Sequence, residues 1–192
     1  MTSDRCANQV RDLQTWQVGF LIYKFDGKTG KSSPSIVAIA HSTKSQFKFS
    51  IFNFSAFFHQ EAGFMLGYAV TCRGDSTTED KDRREHTDLY RAIAAMQPLP
   101  VVVVIGDDGD PGKIDLACHA GEMMATTMKR CGAVGLVTDG GLRDIREIKA
   151  LGGFHYFGRG LVVAHGRPSI YDVGATVVID GMEVHPGDLL HG

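Results

Sequence analysis

The sequence predicts an α/β fold with added antiparallel strands. Three observations carry this. "PVVVVIG" (from Pro100) is a continuous β-branched run, the pattern of a strand buried on both faces. Two strand-to-helix units follow one another between Pro98 and Gly152, an order that calls for parallel pairing through a right-handed crossover. The tail after Phe154 then breaks into short apolar stretches punctuated by turn residues.

The elements follow in order. "VGFLIYKF" reads as a strand, and "DGKTGKSSPS" has the Gly, Ser and Pro content of a turn and loop. "QFKFSIFNFSAFF" alternates aromatic and polar residues like a half-buried strand. Base stacking is the competing reading of that stripe. Only Lys48 interrupts it with positive charge, which favours core packing. "GFMLGYAVTC" (Gly63 to Cys72) is another strand. "RGDSTTEDKDRREH" reads as a solvated charged loop entering the helix "TDLYRAIAAM". The strand "PVVVVIG" leads through "DDGDPGKID" to the helix "AGEMMATTMKRCG", with Met124, Ala125 and Met128 at helical spacing and Gly132 as its stop. "AVGLVTD" is the second buried strand. "LRDIREIKALGG" is the second helix, with Leu142, Ile145, Ile148 and Leu151 on one face. "HYFGRGLVVAHG" and "ATVVIDGMEVHPGDLLHG" read as short strands, with hairpin or turn signals at Asp180-Gly181 and Pro186-Gly187.

Composition narrows the function. The chain has 192 residues, which favours a single domain over 1–192. It is 43% hydrophobic and 22% charged, with a formal net charge of -2. That balance gives no general attraction to nucleic acid or acidic membranes. Cys6, Cys72, Cys118 and Cys131 form no C-x-x-C pair, so a zinc ribbon or redox dithiol is not expected and reduced thiols are. The polar start and the shortness of "PLPVVVVIG" predict neither signal peptide nor membrane span, and so a cytoplasmic location.

Ligands of open parallel sheets collect beyond the carboxyl ends of the strands. Here two such ends carry functional groups, the loop from Asp107 to Gly121 and the segment "DGGLRD". The first turn of the helix at Gly121 offers unpaired N–H groups and a positive dipole end, suited to a carboxylate. Arg143 adds a two-pronged donor. Asp144 and Glu122 are hard oxygen ligands for Mg2+ or Mn2+, directly or through water. Together these groups suit a 2-keto acid, with its carboxylate on amides and arginine and its keto oxygen on the metal. Plainer readings stay open: Asp144 and Glu122 as dipole-compensating acids, and Arg143 paired with Asp144 or, at i,i+4, with Glu147. His119 is either a structural histidine or a ligand or base, and no second His or Cys sits at ligand spacing. "GDDGDPG" lacks the ordered acids of a calcium loop. No Walker, G-x-S-x-G or G-x-G-x-x-G motif is present.

"AGEMMATTMKRCGAVGLVTDGGLRDIREIKAL", with the later "FGRG" and "VHPGDLLHG", resembles the RraA-like family. That family includes class II 4-hydroxy-4-methyl-2-oxoglutarate aldolases and regulators of ribonuclease E activity. The likeness runs from about Gly63 to the end and is most specific from Gly121 to Glu147. The family's aldolases carry a Gly, about twenty residues, then Arg-Asp-x-x-Glu/Asp. Here that is Gly121 and Arg143-Asp144-Ile145-Arg146-Glu147.

The resemblance implies a layered β/β/α sandwich of the swivelling-domain type, assembled as a homotrimer or a pair of trimers with sites between subunits. It implies that Arg143 holds the pyruvyl group and helps activate water, that Asp144 anchors the metal, partly through water, and that Glu122 lies close to the metal and its waters. Backbone amides of Gly121, Glu122, Met123 and Met124 would hold the carboxylate, and Glu147 fills the last position of the motif; Asp139 and His119, beside the same two loops, are secondary candidates from the residues alone. The expected activity is metal-dependent cleavage of 4-hydroxy-4-methyl-2-oxoglutarate-like substrates to pyruvate, with oxaloacetate decarboxylation through the same chemistry. The alternative is a non-catalytic regulator that binds ribonuclease E or related machinery. Neither nucleic acid nor membrane is an expected direct partner. Two segments depart from the family pattern: residues 1–62, and the end at "DLLHG", where relatives commonly continue with an acidic residue that serves the neighbouring subunit.

Overall fold

The computed structural model describes residues 64–78 and 86–192, together with the backbone of three strands, β1 (Phe20–Phe25), β2 (Ser32–Val37) and β3 (Ala56–Phe57). The centre is a sheet whose path, among the described residues, runs β2-β1, then Leu189–His191, Leu66–Asp75, Val101–Asp107, Ala133–Thr138 and His155–Phe157, and ends on β3. Its core strands β4 (Leu66–Asp75), β5 (Val101–Asp107), β6 (Ala133–Thr138) and β7 (His155–Phe157) are mutually parallel. β8 (Ser169–Tyr171) pairs antiparallel with the end of β4, and β11 (Leu189–His191) with its start. β9 (Val177–Ile179) and β10 (Met182–Val184) form a separate hairpin, with Asp180 and Gly181 at positive φ in its turn.

The sheet has apolar layers on both faces. Val101, Val103 and Ile105 belong to a core shared with helix α1 (Thr87–Ala95), helix α2 (Glu122–Cys131) and helix α3 (Ile145–Ala150), through Leu89 and Ile93, Ala125 and Met128, and Ile148. The alternate residues Val102 and Val104 join Val177, Ile179 and Val184 of the β9–β10 hairpin. One strand therefore serves two cores, which is why its sequence is apolar at every position rather than at alternate ones. The mixed α/β architecture, with a parallel sheet core and helices, is the expected one.

Some boundaries differ from expectation. Arg73, Gly74 and Asp75 do not lie in a solvated loop. They are the last residues of β4, and Asp75 is buried, its Oδ1 accepting from the N–H groups of Thr77 and Thr78 at 3.0 Å each. The aromatic stripe around residues 47–58 lies outside the described residues except for the backbone of Ala56–Phe57. The second helix begins at Ile145, not Leu142, because Asp144 takes a left-handed backbone (φ 57°, ψ 36°). Leu142 is buried and forms an isolated bridge with Leu161. "GRGLVVAHG" accordingly is not a strand but an irregular segment lying along that loop, with Arg159 N–H on Gly140 O (3.0 Å) and Leu142 N–H on Gly160 O (2.8 Å).

Candidate active site

Adjacent parallel strands β5 and β6 end side by side, and the two loops meet. Gly121, the residue before α2, has no side chain with which to cap the helix. Asp144 supplies that cap from the other loop: its Oδ2 accepts from the Glu122 N–H at 2.9 Å. The approach is close enough to require glycine. A Cβ on Gly121 would lie 2.4 Å from Asp144 Oδ2 and 2.6 Å from Arg143 Nε.

Arg143 is held at both ends of its guanidinium. Nε lies 3.5 Å from Asp144 Oδ2, and Nη1 donates to the carbonyls of Ala164 and His165, each at 3.3 Å. Its side chain is 16% exposed, whereas that of Asp144 is 41% exposed. Arg143 is thus pinned in the wall while the carboxylate opens to solvent. The i,i+4 pairing with Glu147 gives way to these contacts, and Glu147 stands exposed in the first turn of α3.

Behind Gly121 the loop is fastened to the core. The Tyr156 hydroxyl donates to the Ala120 carbonyl at 2.6 Å, and the Cys118 thiol reaches the same oxygen at 3.4 Å. Burial pushes both groups' pKa upward, so both stay protonated and act as donors. Nothing in the sequence marked them. Tyr156 reads as one more aromatic in "FHYF", and its partner is a backbone atom, invisible to side-chain motifs.

His119 is fully buried and not part of the Gly121–Arg143 cleft. It packs between glycines, with a Cβ on Gly74 falling 2.7 Å from its Nδ1 and one on Gly140 falling 3.0 Å from its Cδ2. Nε2 is 2.9 Å from Asp107 Oδ1, although neither atom has an aligned hydrogen-bond partner. Asp139 completes the cluster by accepting the Asp107 N–H at 2.7 Å. Desolvation pushes Asp139 up to about 6, opposed by that hydrogen bond and by His119. These three groups link the ends of β5 and β6.

The structure therefore brings Gly121, Glu122, Arg143 and Asp144 together, with Met123 and Met124 in the same first turn. It sets His119 and Asp139 in the layer beneath. Glu122 also accepts from Thr126 Oγ1 at 2.8 Å. Among the described residues no three His, Cys, Asp or Glu side chains converge as a metal cage. The oxygen donor at the junction is the well-exposed Asp144 carboxylate, with Glu122 in the adjoining first turn. That fits an oxygen-seeking ion that keeps much of its water, as Mg2+ does, and does not fit a tetrahedral zinc cage. Among the described residues no helix is long and apolar enough to cross a membrane.

The fold and this junction of two loops define an α/β protein in which an Arg-Asp pair packs on a helix start that has no side chain. The RraA-like family model, described as Aldolase/RraA, matches residues 41–192, and the chain belongs to that family. A curated relative from Halalkalibacterium halodurans, named "Putative 4-hydroxy-4-methyl-2-oxoglutarate aldolase", is 35% identical over 92 residues, covering 47% of this chain and 41% of that protein. The chain thus matches about two fifths of that relative's length. Two solved structures share the fold. One is described as "the RNA-processing inhibitor RraA from Thermus thermophilis" (TM-score 0.50, 16% identity, 73% of this chain and 76% of that one). The other is described as "novel cellulases from microbes associated with the gut ecosystem" (TM-score 0.53, 24% identity, 67% of this chain and 55% of that one).

Proposed function

We propose that this protein is a divalent-metal-dependent lyase that releases pyruvate from 4-hydroxy-4-methyl-2-oxoglutarate-like 2-keto acids and decarboxylates oxaloacetate. The observation that carries the reading is the close packing of Arg143 and Asp144 on a side-chain-free helix start at Gly121. The aldolase name of the Halalkalibacterium halodurans relative agrees with it.

The substrate carboxylate binds the first-turn amides of α2, which lack intrahelical partners. Asp144 already occupies the Glu122 amide, so those of Gly121, Met123 and Met124 are left for the ligand. Arg143 contacts the carboxylate or the adjacent keto oxygen in a geometry fixed by Ala164 and His165. Asp144 and Glu122 hold the ion or its water shell. When bound, the ion polarises the keto oxygen and stabilises the negative charge left as the C–C bond breaks. A water held by the carboxylates takes the substrate's 4-hydroxyl proton as that bond breaks and gives a proton to the pyruvyl carbon left behind; with oxaloacetate CO2 leaves and the water supplies the proton. We further propose that the working unit is an assembly of copies, for which the exposed Leu161 and Val163 beside Arg143 offer apolar surface.

Arg143→Ala is the direct test. Pyruvate release from oxaloacetate with Mg2+ is expected to fall by ~100-fold or more, while the thermal unfolding midpoint stays near that of the wild type. Undiminished turnover would defeat the assignment. If the wild type itself shows no metal-dependent turnover but forms a complex with a ribonuclease, the binding-regulator reading takes its place.

A further inference from the structure

We propose that Tyr156 is a positioning residue that aligns both halves of the keto-acid site from behind, through one hydroxyl group; this rests on the function proposed above. Three observations converge. The hydroxyl donates to the Ala120 carbonyl at 2.6 Å. The next residue, Gly121, is the surface on which Arg143 Nε and Asp144 Oδ2 of the other loop pack. The residue is buried and anchored in β7, where it pairs with Leu136 of β6.

The consequence follows from peptide geometry. The Ala120 carbonyl and the Gly121 N–H belong to one planar, trans peptide, so they point in opposite directions. Drawing the oxygen into the core turns the Gly121 N–H outward and sets the plane from which α2 begins. The first-turn amides inherit that orientation. On the other loop, Arg143 carries the guanidinium and precedes the left-handed Asp144. A single phenol on a sheet strand thereby fixes the distance between the amide cradle and the arginine. Cys118 reinforces it as a second donor to the same carbonyl. Preorganisation of this kind matters most where donors must be in place before the ligand arrives.

The variant Tyr156→Phe removes the oxygen and keeps the ring. In isotope-labelled full-length protein it should move the amide resonances of Gly121 and Arg143 and leave those of Val102 to Val104 unmoved. Pyruvate, titrated in the presence of Mg2+, should bind ~tenfold more weakly, and in turnover KM should rise more than kcat falls. A role in stability alone would lower the unfolding midpoint without this split. Unmoved Gly121 and Arg143 resonances overturn the proposal. If Tyr156→Phe does not fold, Cys118→Ala asks the same question through the second donor: a displaced Gly121 resonance supports the bridge and an unmoved one overturns it. A wild-type protein that ignores pyruvate refutes the keto-acid reading instead, and the amide resonances still decide the positioning claim.

Discussion

Asp144 combines two roles at one backbone position. Its left-handed conformation ends the loop and starts α3, and its carboxylate caps α2 from across the cleft. The competing sequence readings of Asp144, helix-end acid and site residue, are therefore compatible, because the helix it caps is α2 rather than its own. Gly121 is the complement, an empty position into which Asp144 and Arg143 fit. Gly121→Ala should abolish measurable pyruvate binding in a calorimetric titration with Mg2+, with the fold retained by circular dichroism. Wild-type affinity in that variant would mean the close approach has no part in binding. Asp139 makes a separate, pH-dependent prediction. Its folded pKa, about 6, lies above the ordinary 3.8. Between those values the folded state holds a proton that the unfolded state has lost, so this group's contribution to stability falls as pH rises through the window. Asp139→Asn should remove that part of the slope in denaturation midpoints measured from about pH 4 to about pH 7. A wild type and variant with parallel profiles would contradict the assignment. Gly121, Glu122, Arg143 and Asp144 were legible because their chemistry lies in side chains, or in the lack of one, at strand ends. Tyr156 and Cys118 were not, because they act on a carbonyl.

At the scale of elements, the helices and parallel strands followed from periodicity, and their boundaries followed from backbone conformation. Gly132 ends α2 at φ 113°, as its place after an apolar-periodic run predicts. Gly132→Ala should cost about 1 kcal/mol or more in chemical denaturation; no loss would show that the left-handed stop contributes nothing. The start of α3 was harder to read. Leu142 lies on the helical period, but it is buried through a bridge to Leu161, a residue of a segment nineteen positions later in the chain. Periodicity cannot separate a core residue just outside a helix from one inside it. Asp75 was misread for a related reason. Charge in "RGDSTTED" reads as solvent exposure, yet this carboxylate is buried because two backbone N–H groups satisfy it.

At the scale of the molecule, the site follows from strand order. β5 and β6 are neighbours in register, Val103 with Leu136 and Ile105 with Thr138, so the loops after them leave the sheet at one edge. The His119, Asp107 and Asp139 cluster joins those ends below the cleft, and the segment after Gly158 runs alongside to carry the carbonyls that hold Arg143. A parallel pair was readable from two buried β-branched runs separated by a helix. The path of residues 158–168 was not, since its pairing depends on the loop it covers rather than on its own sequence. The central claim is that the two loops form one metal-dependent keto-acid site. Its most direct test is pyruvate release from oxaloacetate by the wild-type protein, followed with Mg2+ and again after EDTA. The account predicts saturable release that EDTA abolishes and added Mg2+ restores; release that ignores EDTA, or none above the uncatalysed rate with metal present, would contradict it.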